Sequence, residues 1–339
     1  MARTILVMST GGTIAMAPGE EGDSGVVPRL DSQSLVQAVG RWLPEDVTVR
    51  GETVANLPSA NLTVADAARL ALRIRRAAAE GVAGVVVTHG TDTLEETAFL
   101  LALFLGTPPV SVVVTGAMRP ASAAGADGPA NLLSAIHLAA DETACDFGVL
   151  VVMADRVFAA ADVTKVHTHF VEAFAAHQGA SIGTLREGRV VWHVPRLCEQ
   201  WEALCDPTRF VSGRPLPHVP IVEALFDADP VPALAALTGA QAAVLRAFGA
   251  GHVPESWVEP LAAYAARRPL VLASRVSFGG VFTASYGYPG SERDLIAHGL
   301  IPAGRFNAQK ARLALMLLVA EGTKCKDEVA RRYAALAGV

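Results

Sequence analysis

Short apolar runs rich in β-branched residues recur through the first half of this chain, and each is followed by a stretch of helical periodicity. The runs are Thr4-Ile5-Leu6-Val7-Met8, Val85-Val86-Val87, Val110 to Thr115 and Gly148 to Met153. A strand that is apolar at every position needs cover on both faces, which a parallel sheet flanked by helices supplies. Strand, helix, strand repeated this way predicts an α/β fold with right-handed crossovers. The intervening helices are expected over Asp31 to Gly40, capped by Asp31 or Ser32, and over Thr63 to Glu80, Leu94 to Phe104 and Pro129 to Ala139.

The rhythm breaks where Pro195, Pro207, Pro215, Pro217 and Pro220 crowd together with charges and two tryptophans nearby. Such a stretch reads as an interdomain linker. The expected organisation is therefore an N-terminal α/β domain over 1–194, a linker over 195–218 and a smaller α/β domain over 219–339. In the last part, Ile221 to Phe226, Ala242 to Phe248 and Leu270 to Ser274 read as strands, with a final helix over Asn307 to Glu321.

Composition narrows the partners. The chain of 339 residues is 51% hydrophobic and 18% charged, enough for more than one core. A net charge of −5 without a basic stripe argues against nucleic acid. No apolar run reaches the length of a membrane span and no signal peptide is visible, so a cytoplasmic protein is expected. Cys145, Cys198, Cys205 and Cys325 match neither a zinc pattern nor a redox C-x-x-C, and are expected as thiols in a reducing compartment. His167 and His169, two apart, would share one face of a strand, but they lack a third ligand, and no metal is expected.

The chemistry lies at the carboxyl ends of two strands, the edge where open α/β sheets bind ligands. Thr10-Gly11-Gly12-Thr13-Ile14-Ala15 follows the first run and His89-Gly90-Thr91-Asp92-Thr93 follows the second. Gly11 and Gly12 permit a tight turn, and Thr13 places a hydroxyl there. The dinucleotide fingerprint G-x-G-x-x-G is not met, so a nicotinamide site gets little support, and a phosphate-binding loop is also absent. Both turns also fit plain helix capping, with Asp92 or Thr91 as cap and Glu95 completing a box. A threonine hydroxyl is a weak nucleophile unless a base activates it. Lys165, in Asp162-Val163-Thr164-Lys165, is a candidate base, although lysines are mostly solvated surface residues.

These segments, with Thr115-Gly116-Ala117-Met118-Arg119-Pro120, Ala126-Asp127-Gly128-Pro129 and Asn307-Ala308-Gln309-Lys310-Ala311-Arg312, resemble the bacterial asparaginase/glutaminase family. The resemblance runs from about residue 4 to the end and is strongest through residue 165. It implies a threonine amidohydrolase that needs neither metal nor cofactor and assembles as a homodimer or homotetramer with composite active sites. Carried over, Thr13 is the nucleophile, and Thr91, Asp92 and Lys165 form the second catalytic group. Ser59 would bind the substrate α-carboxylate, Asp92 its α-amino group, and the Ala117 carbonyl the leaving amide nitrogen.

The chain departs from the family around the substrate's amino end. The loop Met16 to Leu30 lacks the family tyrosine, and the first tyrosine in the chain is Tyr264. With Pro18, Gly19, Gly22 and Gly25, the loop still reads as a flexible lid. Ala60 stands where the family has glutamine, and His252 where it has an asparagine that contacts substrate. The glutamate reaching over from a neighbouring subunit is missing, with Tyr286 near its place. Each lost charged hydrogen bond would weaken ammonium recognition by about 1–3 kcal/mol. Tyr286 and Tyr288 from an adjacent subunit are candidates to replace the missing tyrosine. L-Asparagine is therefore the expected substrate. Glutamine, a D-isomer, an amide or lactam without the α-amino group, and a catalytically idle binding protein are the alternatives. The glutaminase subunit of a tRNA amidotransferase would need an extra N-terminal domain, for which the motif at residue 10 leaves no room.

Overall fold

A computed structural model describes residues 3–18, 26–195, 202–212, 215–322 and 325–339. The chain divides into two compact units, Met1–Gly213 and Arg214–Val339. Gly19, Gly22 and Gly25 of the expected lid, and Cys198, lie outside the described residues.

In chain order, the first unit contains β1 (Arg3–Gly11), β2 (Met16–Pro18), β3 (Val26–Pro28), α1 (Ser32–Val39), β4 (Val47–Leu57), α2 (Val64–Ala79), β5 (Gly84–Thr88) and α3 (Leu94–Leu105). Then come β6 (Ser111–Thr115), α4 (Gly128–Ala139), β7 (Val149–Met153), β8 (Arg156–Ala159), β9 (Val163–Lys165), β10 (Phe174–Ala176), β11 (Gly183–Arg186) and β12 (Arg189–Trp192). Eight strands form one sheet in the order β12-β11-β8-β7-β6-β5-β1-β4. From β4 to β7 every pairing is parallel, as the alternating pattern predicts. Beyond β7 the chain doubles back through antiparallel β8, β11 and β12.

Local sequence accounts for the helix starts. Asp31 caps α1 by accepting the Ser34 N–H at 2.8 Å. Thr63 and Asp66 form a reciprocal capping box at the head of α2. Every residue of β5, β6 and β7 is buried, because helices cover both sheet faces. One of the two faces packs Ile5, Val7, Val86, Val113 and Leu150 against Leu132, Ile136 and Leu138 of α4.

Sequence reading missed β4, whose charged and polar residues give it no continuous apolar run; as the last strand of the sheet it is buried on fewer sides. It also placed His167 and His169 on a strand. The strand β9 ends at Lys165, and His167 Nδ1 instead accepts the backbone N–H groups of His169 and Phe170, both at 3.0 Å. Within the proline-rich segment, the described residues 202–212 pack onto the first unit. The Leu204 N–H donates to the Leu103 carbonyl at 2.7 Å, and the Phe210 ring lies 5.4 Å from that of Phe104.

The second unit contains β13 (Ile221–Glu223), α5 (Pro230–Leu234), β14 (Ala243–Ala247), α6 (Val258–Ala265), β15 (Leu270–Ser274), α7 (Glu292–Ala297), β16 (Ile301–Pro302), α8 (Ala308–Ala320) and α9 (Lys326–Ala337). Its four strands are parallel in the order β13-β14-β15-β16. Two expectations need correction. β13 stops at Glu223, and Phe226 is 92% exposed, so the apolar run there overstates the strand. The helix over Asn307 to Glu321 is not the last, since α9 follows it. Among the described residues no helix is long and apolar enough to cross a membrane.

Ile136 is fully buried on the sheet-facing side of α4. Replacing it with alanine leaves a cavity among β-sheet side chains, and Ile136→Ala should cost about 2–5 kcal/mol, read as a lowered denaturation midpoint.

Candidate active site

Two turns meet at the carboxyl edge of the parallel sheet. β1 and β5 are paired neighbours, so the loops leaving them emerge side by side. Gly12 has φ +80°, and a Cβ on it would sit 2.3 Å from the Gly90 Cα and N. A Cβ on Gly90 would in turn lie 2.7 Å from the Ser59 hydroxyl oxygen. The two backbones therefore touch, with buried Ser59 beside them. Thr13 follows this contact at the head of a 3-10 turn over Thr13–Ala15, half-buried, with no side-chain cap.

Thr91 and Asp92 leave the second turn together with Lys165. The Lys165 Nζ donates to Thr91 Oγ1 at 2.9 Å and to Asp92 Oδ1 at 2.8 Å. The expectation of a solvated lysine is wrong here: its side chain is only 18% exposed, because β9 delivers it onto the threonine turn. The capping expectation also fails. The cap residue of α3 is Thr93, no side chain caps the helix, and Thr93 Oγ1 donates to the Ser59 carbonyl at 2.8 Å. Neither Thr91 nor Asp92 is spent on capping. The positive end of the α3 dipole faces this same turn.

The third strand end adds a backbone platform. The position where a Gly116 side chain would begin is 3.3 Å from Thr91 Cγ2, so the loop after β6 abuts the threonine. Ala117 in that loop is fully buried. Sequence reading missed what holds it. Asp127 accepts the N–H groups of Met118 and Arg119, each at 2.9 Å. Asn131 Nδ2 donates to Asp127 and to the Gly116 carbonyl, both at 3.0 Å, while its Oδ1 accepts the Ala154 N–H at 3.0 Å. The signal was present: an aspartate and an asparagine four apart straddling a helix start lie on one face.

Electrostatics single out His89. Its ring is fully buried, and desolvation pushes its pKa down to about 4, opposed weakly by a hydrogen bond from Nδ1 to the Gly90 carbonyl at 2.7 Å. It is neutral at pH 7 and braces the turn.

His252, Tyr286 and Tyr288 lie in the second unit and come together there. The Tyr286 and Tyr288 rings stand edge-on to His252, with centroids 4.9 and 5.6 Å away. The His252 Nε2 lies 3.2 Å from the fully buried Glu292 carboxylate. Burial acts to raise the pKa of Glu292. Hydrogen bonds from the Tyr286 and Ser285 N–H groups and from His252 outweigh this and hold the group below the usual carboxylate range. Glu292 organises the cluster and was not picked out from the sequence, where it looks like one more charge at a helix start.

Residues 4–197 match the family described as "Asparaginase, N-terminal", and residues 218–331 match "Glutaminase/Asparaginase C-terminal domain". The chain belongs to the asparaginase family. It is 37% identical over 332 residues to a probable L-asparaginase of Deinococcus radiodurans, covering 95% of both chains. Its fold matches the thermostable L-asparaginase from Thermococcus kodakarensis with a TM-score of 0.85 at 26% identity, over 97% of this chain and 96% of that one. A probable cytoplasmic L-asparaginase from Campylobacter jejuni matches with a TM-score of 0.80 at 32% identity, over 98% and 99%. The α/β class and the family resemblance read from the motifs are both borne out.

Two outcomes follow for this site. The unfolded chain binds a proton on His89 below pH 6.5, whereas the folded chain does so only below about 4. Stability from this group is thus present above pH 6.5 and lost as pH falls toward 4, on the order of 3 kcal/mol in all. Urea unfolding across that window should show the slope, and His89→Asn should flatten it. Separately, Asp127→Ala removes the acceptor for two backbone N–H groups, and should cut turnover of an amide substrate about 10²-fold through loss of loop geometry.

Proposed function

We propose that this chain hydrolyses the side-chain amide of L-asparagine to aspartate and ammonia. The observation that carries the reading is the Lys165 amine held between Thr91 Oγ1 and Asp92 Oδ1 at 2.9 and 2.8 Å, beside the turn that presents Thr13. The relatives named above, called L-asparaginases over nearly their full lengths, support it.

In the proposed reaction, the Thr13 hydroxyl oxygen attacks the amide carbon and its proton passes to a base. The tetrahedral oxyanion forms, the C–N bond breaks, and the nitrogen leaves as ammonia after taking up a proton. The resulting ester on Thr13 is then opened by water, which releases the carboxylate and returns the hydroxyl. Lys165 and Thr91 act as the proton relay, in which the Lys165 amine takes up the Thr91 hydroxyl proton and Thr91 takes one from the attacking Thr13 or water. Asp92 holds the substrate α-amino group, Ser59 the α-carboxylate, and the Ala117 carbonyl the leaving nitrogen.

Ala60 and the His252 cluster set the specificity question. With fewer polar partners for the ammonium, glutamine, a D-isomer or an amide without an α-amino group competes as substrate. We assign Tyr286 and Tyr288 the place of the missing lid tyrosine, supplied by a neighbouring subunit in a homodimer or homotetramer with composite sites. A cytoplasmic location follows the Campylobacter relative.

Ammonia release from a panel of small amides tests the reading. L-Asparagine should be turned over fastest; a protein that releases ammonia from none of them is a binding protein instead. Thr13→Ala should abolish turnover. Lys165→Met should lower kcat about 10²–10⁴-fold with a smaller change in KM. Tyr286→Phe or Tyr288→Phe should lower kcat if either ring replaces the lid tyrosine, and unchanged turnover in both would remove that assignment.

A further inference from the structure

The second unit holds a cleft of about 470 Å3 at the amino ends of β14 and β15, where Gln241 precedes one strand and Pro269 the other. Arg267 and Arg268, just beyond α6, line it together with Lys326, the first residue of α9. Pro217, Val319 and Val329 supply an apolar wall, and no carboxylate lines the cleft among the described residues. The His252 turn follows the opposite, carboxyl end of β14, so the cleft stands apart from the residues of the proposed reaction.

A chain of net charge −5 gathers three cations here and gives them no counter-ion. Arg246 and Arg331 of the same unit are paired, with Glu223 at 3.6 Å and Glu328 at 2.8 Å. Arg267, Arg268 and Lys326 have no acidic partner among the described residues. Arg267 spends one donor on the Ala263 carbonyl, at 3.2 Å, and keeps the others. Helix ends explain part of this pattern. Cations are favourable at a helix C-terminus, which suits Arg267 and Arg268 after α6. Lys326 opens α9, the end where the dipole disfavours a cation, so its own helix does not account for it. An anion in the cleft accounts for all three. Gln241 agrees with this: its Oε1 accepts the His218 N–H at 2.7 Å, which leaves the Nε2 donors for a ligand.

We propose that this cleft binds a small phosphate monoester carried on an apolar body. Near pH 7 such a phosphate bears close to two negative charges and three acceptor oxygens. Two guanidinium forks and an ammonium match that charge and those acceptors, whereas a carboxylate offers half the charge. The cleft is larger than a phosphate ion, and its apolar wall takes the remainder of the ligand. The site does not depend on asparagine hydrolysis.

Isothermal titration calorimetry of the full chain tests this with 1-naphthyl phosphate as the probe. Inorganic phosphate, 1-naphthol and 1-naphthoate serve as its matched parts. The naphthyl ester should bind saturably, once per chain, and about tenfold or more tighter than any of the three. Arg268→Gln and Lys326→Gln should each weaken it about fivefold or more, and the double variant further still. Lys326→Arg keeps the charge and should bind within about twofold of the parent. Arg76→Gln removes the same charge from an exposed position in the first unit and should leave binding unchanged. Absence of saturable binding, equal weakening by Arg76→Gln, or full affinity in the double variant would overturn the site. Inorganic phosphate binding as tightly as the ester would overturn the apolar body, and equal binding of naphthoate would overturn the choice of phosphate. No arm reads ammonia release, so the outcome holds whether or not the chain turns over asparagine.

Discussion

The contact between Gly12 and Gly90 is the constraint on which the rest of the site depends. Two neighbouring parallel strands bring their loops within backbone distance, and no side chain fits between them. Thr13 and Thr91 are thereby delivered from different strands to one place without either being carried on a long mobile segment. The cost is conformational: Gly12 sits at φ +80°, a region that side-chain-bearing residues rarely occupy. Ser59 packs into the same junction and its carbonyl holds Thr93, so the carboxyl ends of β1, β4 and β5 are locked together.

Around this junction the side chains divide the labour by burial. His89 is fully enclosed and kept neutral, which suits a brace and not a carrier of charge. Lys165 is nearly enclosed, yet it keeps an anionic neighbour in Asp92, itself 74% exposed. A pair that is half in water avoids the full desolvation penalty of a buried ion pair while retaining directed hydrogen bonds. The Thr91 hydroxyl therefore meets an amine whose partners are set by backbone placement and not by a deep charge network.

Much of this was legible in the chain itself. β5, β6 and β7 announce themselves because burial on both faces demands an unbroken apolar run, and α1 and α2 because their caps are written as Asp31 and the Thr63–Asp66 box. The threonine turns could be placed because strand ends follow directly from the runs. What failed did so for identifiable reasons. β4 lies at the edge of its sheet, so its sequence is mixed and lacks the signal. Lys165 looks like any surface lysine until the antiparallel β9–β10 pair orients it. Capping by Asp92 was a reasonable expectation from spacing alone, but a longer-range partner captured the carboxylate. Glu292 acts through His252, forty positions away in the chain, which no local pattern encodes.

Asn131 has a consequence of a mechanical kind. Its single carboxamide grips the Gly116 carbonyl with one end and the Ala154 N–H with the other. The first grip lies just ahead of Ala117, and the second lies in the β7–β8 turn, on the path that leads to Lys165. Two parts that must work at a fixed spacing are thus gauged from one planar group. Errors in the loops on either side do not accumulate between them, just as two marks cut on one ruler keep their interval however the ruler is mounted.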